Sequence, residues 1–390
     1  MTTGNNRNVS GELNPSDLSR ALSDIPIVRE LQRLILSGPG PINWHIAKQI
    51  ADAISKASGV GSWPDLADRN EFTQAVRIAE LNLSDLAGGE AGLLSEDVMV
   101  VGREEWAALE LAAMRPYVER LAMKLIPQLT PGAAGQGLLQ GMGSMMAPLL
   151  FGVQIGFLVG HLCRDVMSKF DLCLPRGDLT RPYFVYANIV QFEDELELDP
   201  QQFRLWLALH EVAHHAQFKT HPWMAAHLEH LLQRFVDGAE VNAPDLLDLM
   251  SGVSDPEELN RLIEKPEELL PMLISSSQQD AMLQMQNLLA VIEGHADWLV
   301  ETAGRKLLVD FDKMREGINR RRVEKSSSER MLQRLLGIDL PWDRYSEGVS
   351  FIKALAQAEQ IGPLLASAEN LPTAEELQTP SKWITRVAFS

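Results

Sequence analysis

His210-Glu211-Val212-Ala213-His214 forms a His-Glu-x-x-His box. Residues four apart on an α-helix share a face, so both imidazoles can reach one Zn²⁺ while Glu211, one step round, faces a water on that metal. This arrangement serves hydrolysis: zinc acidifies its water and polarises a scissile carbonyl, while Glu211 takes the proton and hands it to the leaving amine. The surrounding residues predict the helix that such chemistry needs. Asp199-Pro200 supplies an N-cap and a first-turn proline, and Phe203, Trp206, Leu207, Leu209 and Ala213 carry apolar helical spacing through the box. No Gly or Pro interrupts residues 201 to 220.

Two histidines do not complete a catalytic zinc site, which takes a third protein ligand and keeps a position open for water. An extended box would place Gly at 217 and His at 220, but the chain has Gln217 and Thr220, and His221 lies one residue too far on. Glu293 in Ile292-Glu293-Gly294-His295-Ala296-Asp297 is the candidate, because Glu293 and Asp297 lie four apart on a second predicted helix. One carboxylate can bind metal while Asp297 accepts the free N–H of a liganding histidine and so fixes its tautomer. This Glu-x-x-x-Asp pattern resembles that of zincins whose third ligand is glutamate. Gly294 and Ala296 would let this helix approach the His210 helix closely. His295 is the rival ligand, although it points about 160° around the helix from Asp297.

The resemblance extends beyond the box. Gly40-Pro-Ile-Asn-Trp44, Gly152-Val-Gln-Ile-Gly156, Val159-Gly-His-Leu162, Glu293-Gly-His-Ala-Asp297, Asn319-Arg-Arg-Arg322 and Leu335-Leu-Gly-Ile-Asp339 through Gly348-Val-Ser-Phe351 are together similar to a family of zinc-dependent metallopeptidases found mainly in actinobacteria and related phyla. Some of its members are labelled as associated with biosynthesis of a deazaflavin coenzyme. The likeness covers roughly residues 20 to 365. It implies a mostly helical, zincin-like fold, with metal ligands at His210, His214 and Glu293 and the catalytic base at Glu211.

Composition sets the outer bounds. A chain of 390 residues with 45% hydrophobic content can bury a large core, and the 82 residues between His210 and Glu293 argue against a domain boundary there. A formal charge of −18 argues against tracking nucleic-acid phosphates, so no nucleic-acid partner is expected. Cys163 and Cys173 are too few for a disulfide framework and read as reduced, and the polar start Met1-Thr-Thr-Gly-Asn-Asn predicts no secretory signal. The expected location is cytoplasmic. Residues 138 to 162 carry no Asp, Glu, Lys or Arg and are long enough to span a bilayer. Gln140, Gln154, Pro148 and frequent glycines predict instead a Gly/Met loop followed by a buried helix, with Gly152, Gly156 and Gly160 on one close-packed face.

The periodicity predicts helices over 16–36, 43–58, 68–85, 103–127, 200–219, 222–237, 256–268, 277–303, 306–322 and 327–336. Tyr183 to Phe192 reads as a strand, rich in β-branched and aromatic residues, and as an edge that could pair with an extended peptide. The expected fold is therefore mainly α, a zincin-like core with a small β element beside the active-site helix. Residues 1–18 are expected as a flexible tail, 19–365 as one unit, and 366–390 as a loosely held tail. His215 reads as a surface or packing residue, and His221, His227 and His230 lack metal-box spacing. Arg320-Arg-Arg322 reads as a solvated face from which one arginine could reach the cleft, and Tyr345 as a candidate oxyanion donor. The functional reading is a zinc-dependent hydrolase, first a metallopeptidase, with a peptide or small amide as substrate. The alternatives are an amidohydrolase acting on a small non-peptide amide and a zinc-holding scaffold without activity, to which an intact Glu211 would be of little use.

Overall fold

Each helix that carries a candidate ligand begins at a side-chain cap written into the sequence. Asp199 accepts a hydrogen bond from the Gln202 N–H ahead of Pro200, and Ser275 forms a reciprocal capping box with Gln278. These caps satisfy backbone donors that a helix start leaves open, and they fix where the two long helices enter the core. The computed structural model describes residues 40–57, 63–84, 86, 94–129, 138–172, 174, 181–240 and 275–388. The helices expected over 16–36 and 256–268, the N-terminal tail and Cys173 lie outside these.

In chain order the described elements are α1 (Trp44–Ala57), α2 (Leu66–Leu83), β1 (Met99–Val101), α3 (Arg103–Leu129), α4 (Leu138–Leu162), β2 (Tyr183–Val185), α5 (Tyr186–Glu195), α6 (Pro200–Thr220), α7 (Pro222–Asp237), α8 (Ser276–Leu307), α9 (Phe311–Val323), α10 (Ser327–Leu336), α11 (Trp342–Gln357), α12 (Ile361–Ala366), α13 (Ala374–Gln378) and α14 (Pro380–Ala388). The fold is mainly helical. The β1 and β2 strands pair in parallel over three residues, Met99 to Tyr183 through Val101 to Val185.

The strand expected over 183–192 ends at Val185, and Tyr186 to Glu195 is helical. All three strand residues are buried. Phe184 also bridges to Ser168 and the Val185 N–H donates to Met167 O at 2.8 Å, so both sides of β2 are covered. It offers no free edge for a peptide, because tertiary burial has taken up its backbone groups. The expected loop before Gly152 is likewise corrected: α4 runs unbroken from Leu138 with Pro148 inside it. The glycine face does form. A Cβ on Gly152 would meet Asn43 O at 2.4 Å and one on Gly156 would meet Ala47 O at 2.6 Å, which sets α1 directly against α4. Among the described residues no helix is long and apolar enough to cross a membrane.

The C-terminal segment from 366 is not loosely held over its described part. Trp383 on α14 is fully buried, its ring edge-on to Phe351 of α11 at 5.9 Å, and its indole N–H donates to Asn370 O at 2.6 Å. Arg386 pairs with Glu376 of α13. A large aromatic supplies the apolar burial that the Pro- and Glu-rich composition conceals.

Two apolar cores flank α6. One gathers Phe72, Val76 and Ala79 of α2 around Phe203, Leu207, Val212 and Ala216 of α6. The other gathers Leu228 and Leu232 of α7, Leu288 and Leu289 of α8 and Phe351 of α11, with Phe218 of α6 at its edge. Every residue from Trp206 to Phe218 is buried, so both box histidines sit on a helix enclosed on all sides. At the N-terminal end of α6 the Arg204 guanidinium is buried against Glu193, Glu71 and Asp68. Burial alone would lower Arg204, but Glu193 first and Glu71 next hold it above its usual range.

Candidate metal centre and adjoining cavities

The approach of α8 to α11 places Glu293. A Cβ added at Gly348 would lie 2.2 Å from Ala290 O, and one at Gly294 would lie 2.7 Å from the Gly348 carbonyl, so these glycines let the two backbones touch. On the other side α8 packs on α6, and the Gln217 side chain donates to Ile292 O at 3.2 Å across that seam. Glu293 thereby faces both box histidines. His210 Nε2 lies 3.9 Å from Glu293 Oε2 and His214 Nε2 lies 3.6 Å from Glu293 Oε1, and one donor atom from each residue falls within 4.8 Å of the other two. Ligands about 2.0 to 2.1 Å from a tetrahedral zinc are separated by roughly 3.4 Å, so this triangle has the size for one such ion.

Two further observations fit a metal. His214 is fully buried and its Nε2 has no hydrogen-bond partner, an orphaned lone pair that a cation would satisfy. Burial, with His214 alongside, holds His210 well below the usual imidazole range and so in the neutral form that binds metals. The structure thus brings together all three residues expected as ligands. The rival, His295, is turned away: its Nδ1 sits 3.2 Å from the Gln217 amide, its ring stacks on Trp298, and burial lowers it to about 3.

Asp297 departs from its expected role. Its carboxylate accepts from Arg322 Nη1 at 3.3 Å and from the Tyr345 hydroxyl, rather than from a ligand histidine. The reason is geometric, since one turn beyond Glu293 the carboxylate meets α9 and α11 instead of α6. Arg322 is the hub. Its Nη2 donates to Glu293 Oε2 at 3.4 Å and lies 3.3 Å from His210 Nε2, while Nη1 reaches Asp297 and Tyr345. Burial would lower Arg322, yet Tyr345, Asp297 and Glu293 hold it above its usual range. Burial first, and Asp297 next to it, push the Tyr345 hydroxyl well above its own range despite Arg322. Of the arginine run, then, Arg322 reaches the site, Arg321 pairs with Asp171, and Arg320 pairs with Glu316 on the exposed face.

Glu211 is fully buried. Its Oε2 accepts from the Phe170 N–H at 3.4 Å, and Oε1 lies 3.4 Å from His215 Nε2 without the alignment of a hydrogen bond. His215 is accordingly a packing residue beneath Glu211. The Phe170 ring covers both His214 and His215 at 5.0 Å between centroids. Residues 167–172 therefore close over this side of the box.

Two cavities flank the site. One, about 90 Å³, exposes His210, Glu293, Phe170, Arg321 and Lys325. The other, about 300 Å³, is lined by Asp297, Glu301, Arg315, Asn319 and Lys353 among others. Trp206, Arg322, Trp342 and Tyr345 line both. Sequence reasoning treated Trp206 only as an apolar helix position, but it lies one turn before His210 and its ring stacks on that imidazole at 5.6 Å. That spacing was the available signal. Asn319 stood in the sequence only as the start of the Asn319-Arg-Arg-Arg322 segment, and nothing there pointed to Lys353.

A model of zincin-like metallopeptidases matches residues 42–384. The chain belongs to that family. A crystal structure of a proposed hydrolase with a novel fold, from Chloroflexus aurantiacus, is similar to this zincin-like chain with a TM-score of 0.66 and 24% identity, covering 90% of this chain and 99% of that one. At that identity the likeness speaks for the fold. No curated protein matches. Membership in the zincin-like family implies zinc as the metal, and the two nitrogens and one carboxylate oxygen of the described triangle suit it.

Proposed function

We propose that this chain is a zinc-dependent amide hydrolase, a metallopeptidase, in which His210, His214 and Glu293 hold the ion and Glu211 is the general base. The observation that carries the reading is the convergence of those three donors beside a cavity, with His214 Nε2 lacking any other partner. Zinc bound there would supply Lewis-acid polarisation of the scissile carbonyl and a water of lowered pKa. Glu211 keeps Oε2 on the Phe170 N–H and leaves Oε1 to take the proton of the attacking water and deliver it to the leaving amine. Arg322, with Tyr345 held against it, presents positive charge to oxygen as the carbonyl becomes tetrahedral.

One observation favours a second reading, a zinc-holding scaffold: Glu211 lines neither cavity and is closed off by Phe170. Glu211→Gln separates the two. The amide is nearly isosteric, so the variant should retain one zinc per chain by elemental analysis, while loss of a positioned base should reduce cleavage of a peptide library by about 10² to 10⁴-fold. Cleavage of neither the peptide library nor a panel of small amides by either protein, with zinc present in both, would favour the scaffold. Equal cleavage by both would remove Glu211 from the chemistry.

A further inference from the structure

Two residues that line the larger cavity each keep a buried polar atom that the fold leaves unserved. Trp206 is 3% exposed, lines the cavity, and its indole N–H has no hydrogen-bond partner. Asn319 lines the same cavity from α9, and its Oδ1 is buried without a partner. A buried donor and a buried acceptor left open each forfeit a hydrogen bond, and native structures seldom tolerate that unless something else completes them. A secondary amide offers one carbonyl acceptor and one N–H donor, the complement of this pair.

Charge narrows the class. The charged lining comprises Arg315, Arg322 and Lys353 against Asp297 and Glu301, a positive surplus in a chain of formal charge −18. Arg322 lies at the inner end, against Asp297, Tyr345 and Glu293 beside the candidate metal centre. The outer end is different: Glu301 is shared by Arg305, Arg315 and Lys353, and Asp312 also pairs with the two arginines, so two carboxylates face three cations there and Lys353 has Glu301 alone among the described residues. Lys353 has three donors and remains 43% exposed on its side chain.

We infer that this cavity is a second substrate pocket that takes an amide bearing a carboxylate, the amide pairing with Trp206 and Asn319 and the carboxylate with Lys353 and Arg315. The pocket shares Trp206, Arg322, Trp342 and Tyr345 with the cavity over His210 and Glu293, so a substrate in it reaches toward the candidate metal centre. Its orientation rests on the hydrolase reading, whereas its test reads binding and not turnover.

The experiment is calorimetric titration of the full-length, zinc-loaded Glu211→Gln chain with acetyl-glycyl-glycine, its C-terminal amide, and acetyl-glycyl-glutamic acid α-amide. The free carboxylate should bind at least about 10-fold more tightly than its uncharged amide, as a charge-assisted contact at a partly buried site does. Adding Trp206→Phe or Asn319→Ala should weaken every probe by about 3 to 10-fold, the worth of one neutral hydrogen bond. Trp206→Phe keeps a ring on His210, and half-buried Asn319 provides the second variant should the first fail to fold. Lys353→Gln should erase the preference for the carboxylate. If the glutamyl α-amide binds as tightly as acetyl-glycyl-glycine, the anion is an acidic side chain; if it binds like the uncharged amide, the anion is a chain terminus, and either supports the pocket. A carboxylate preference that survives Lys353→Gln, or no binding by any probe, overturns it. Intact binding together with absence of cleavage by the wild type would reject the hydrolase reading and leave the pocket standing.

Discussion

Replacing Gly348 by alanine sets two opposing effects against each other at the joint that positions Glu293. Gly348 lies inside α11, where alanine is favoured over glycine by about 1 kcal/mol in a helix interior. Against this, the new Cβ would lie 2.2 Å from Ala290 O, 2.8 Å from Ala290 C and 3.0 Å from Ala290 Cα. All three are backbone atoms, so no side chain can rotate away, and α8 and α11 must part by roughly 1 Å to reach van der Waals distance. Overpacking of this kind costs about 1 to 3 kcal/mol, and a backbone clash belongs at the upper end. The net expectation is a loss of about 2 kcal/mol, lowering the melting temperature by about 2 to 3 °C in a chain of this size. Glu293 moves with α8, and metal ligands tolerate displacements of only about 0.2 Å, so zinc affinity should fall by on the order of 10-fold or more. Scanning calorimetry and chelator competition measure the two quantities. Gly362→Ala is the control, because outside its chain neighbours and its own helix no atom lies within 4 Å of its Cβ; with Pro363 next in the chain it should change stability by no more than about 1 kcal/mol. A Gly348→Ala protein that melts at or above wild type with unchanged zinc affinity would refute the close-approach argument.

Glu293→Ala should abolish stoichiometric zinc in elemental analysis, and full retention would move the third ligand elsewhere. Asp297→Asn should change zinc affinity by less than about 10-fold, because its carboxylate serves Arg322 and Tyr345 rather than a ligand imidazole; a loss as large as that of Glu293→Ala would restore it to the immediate support of the ligands. Trp383→Ala should cost about 3 to 5 kcal/mol, seen as a lower denaturant midpoint, since the ring is fully buried. A midpoint unchanged from wild type would mean that α14 is not part of the cooperative unit. Arg204→Ala should destabilise by about 3 to 5 kcal/mol in the same assay, because it strands the buried Glu193 carboxylate, and a change below 1 kcal/mol would contradict that pairing.

The parts of the site legible in the sequence were those fixed by local periodicity. His210 and His214 sit four apart on one capped helix, and Glu293 stood out by its spacing from Asp297 on a second capped helix with Gly294 alongside, although its facing the two imidazoles depends on how the two helices pack. The partners of Asp297 were not legible, because they depend on how α9 and α11 cross α8 and no local pattern encodes a crossing. Tyr183 to Phe192 read as a strand on propensity, but the helix from Tyr186 packs Ile189 into the core, and that tertiary gain overrides β-branched preference. The C-terminal helices were hidden for the opposite reason, since a polar, proline-bearing composition gave no sign that a single tryptophan would anchor them.

Arg322 gives this centre a tolerance that many metal sites lack. A carboxylate enclosed between helices, with nothing to balance it, would strain the fold whenever the ion departed, which is why small metal-built domains collapse under chelation. Here a guanidinium already contacts Glu293 and stands beside His210, itself braced by Asp297 and Tyr345. The helices are joined by apolar packing and by an internal counter-charge, so the positions of His210, His214 and Glu293 do not rest on a metal alone.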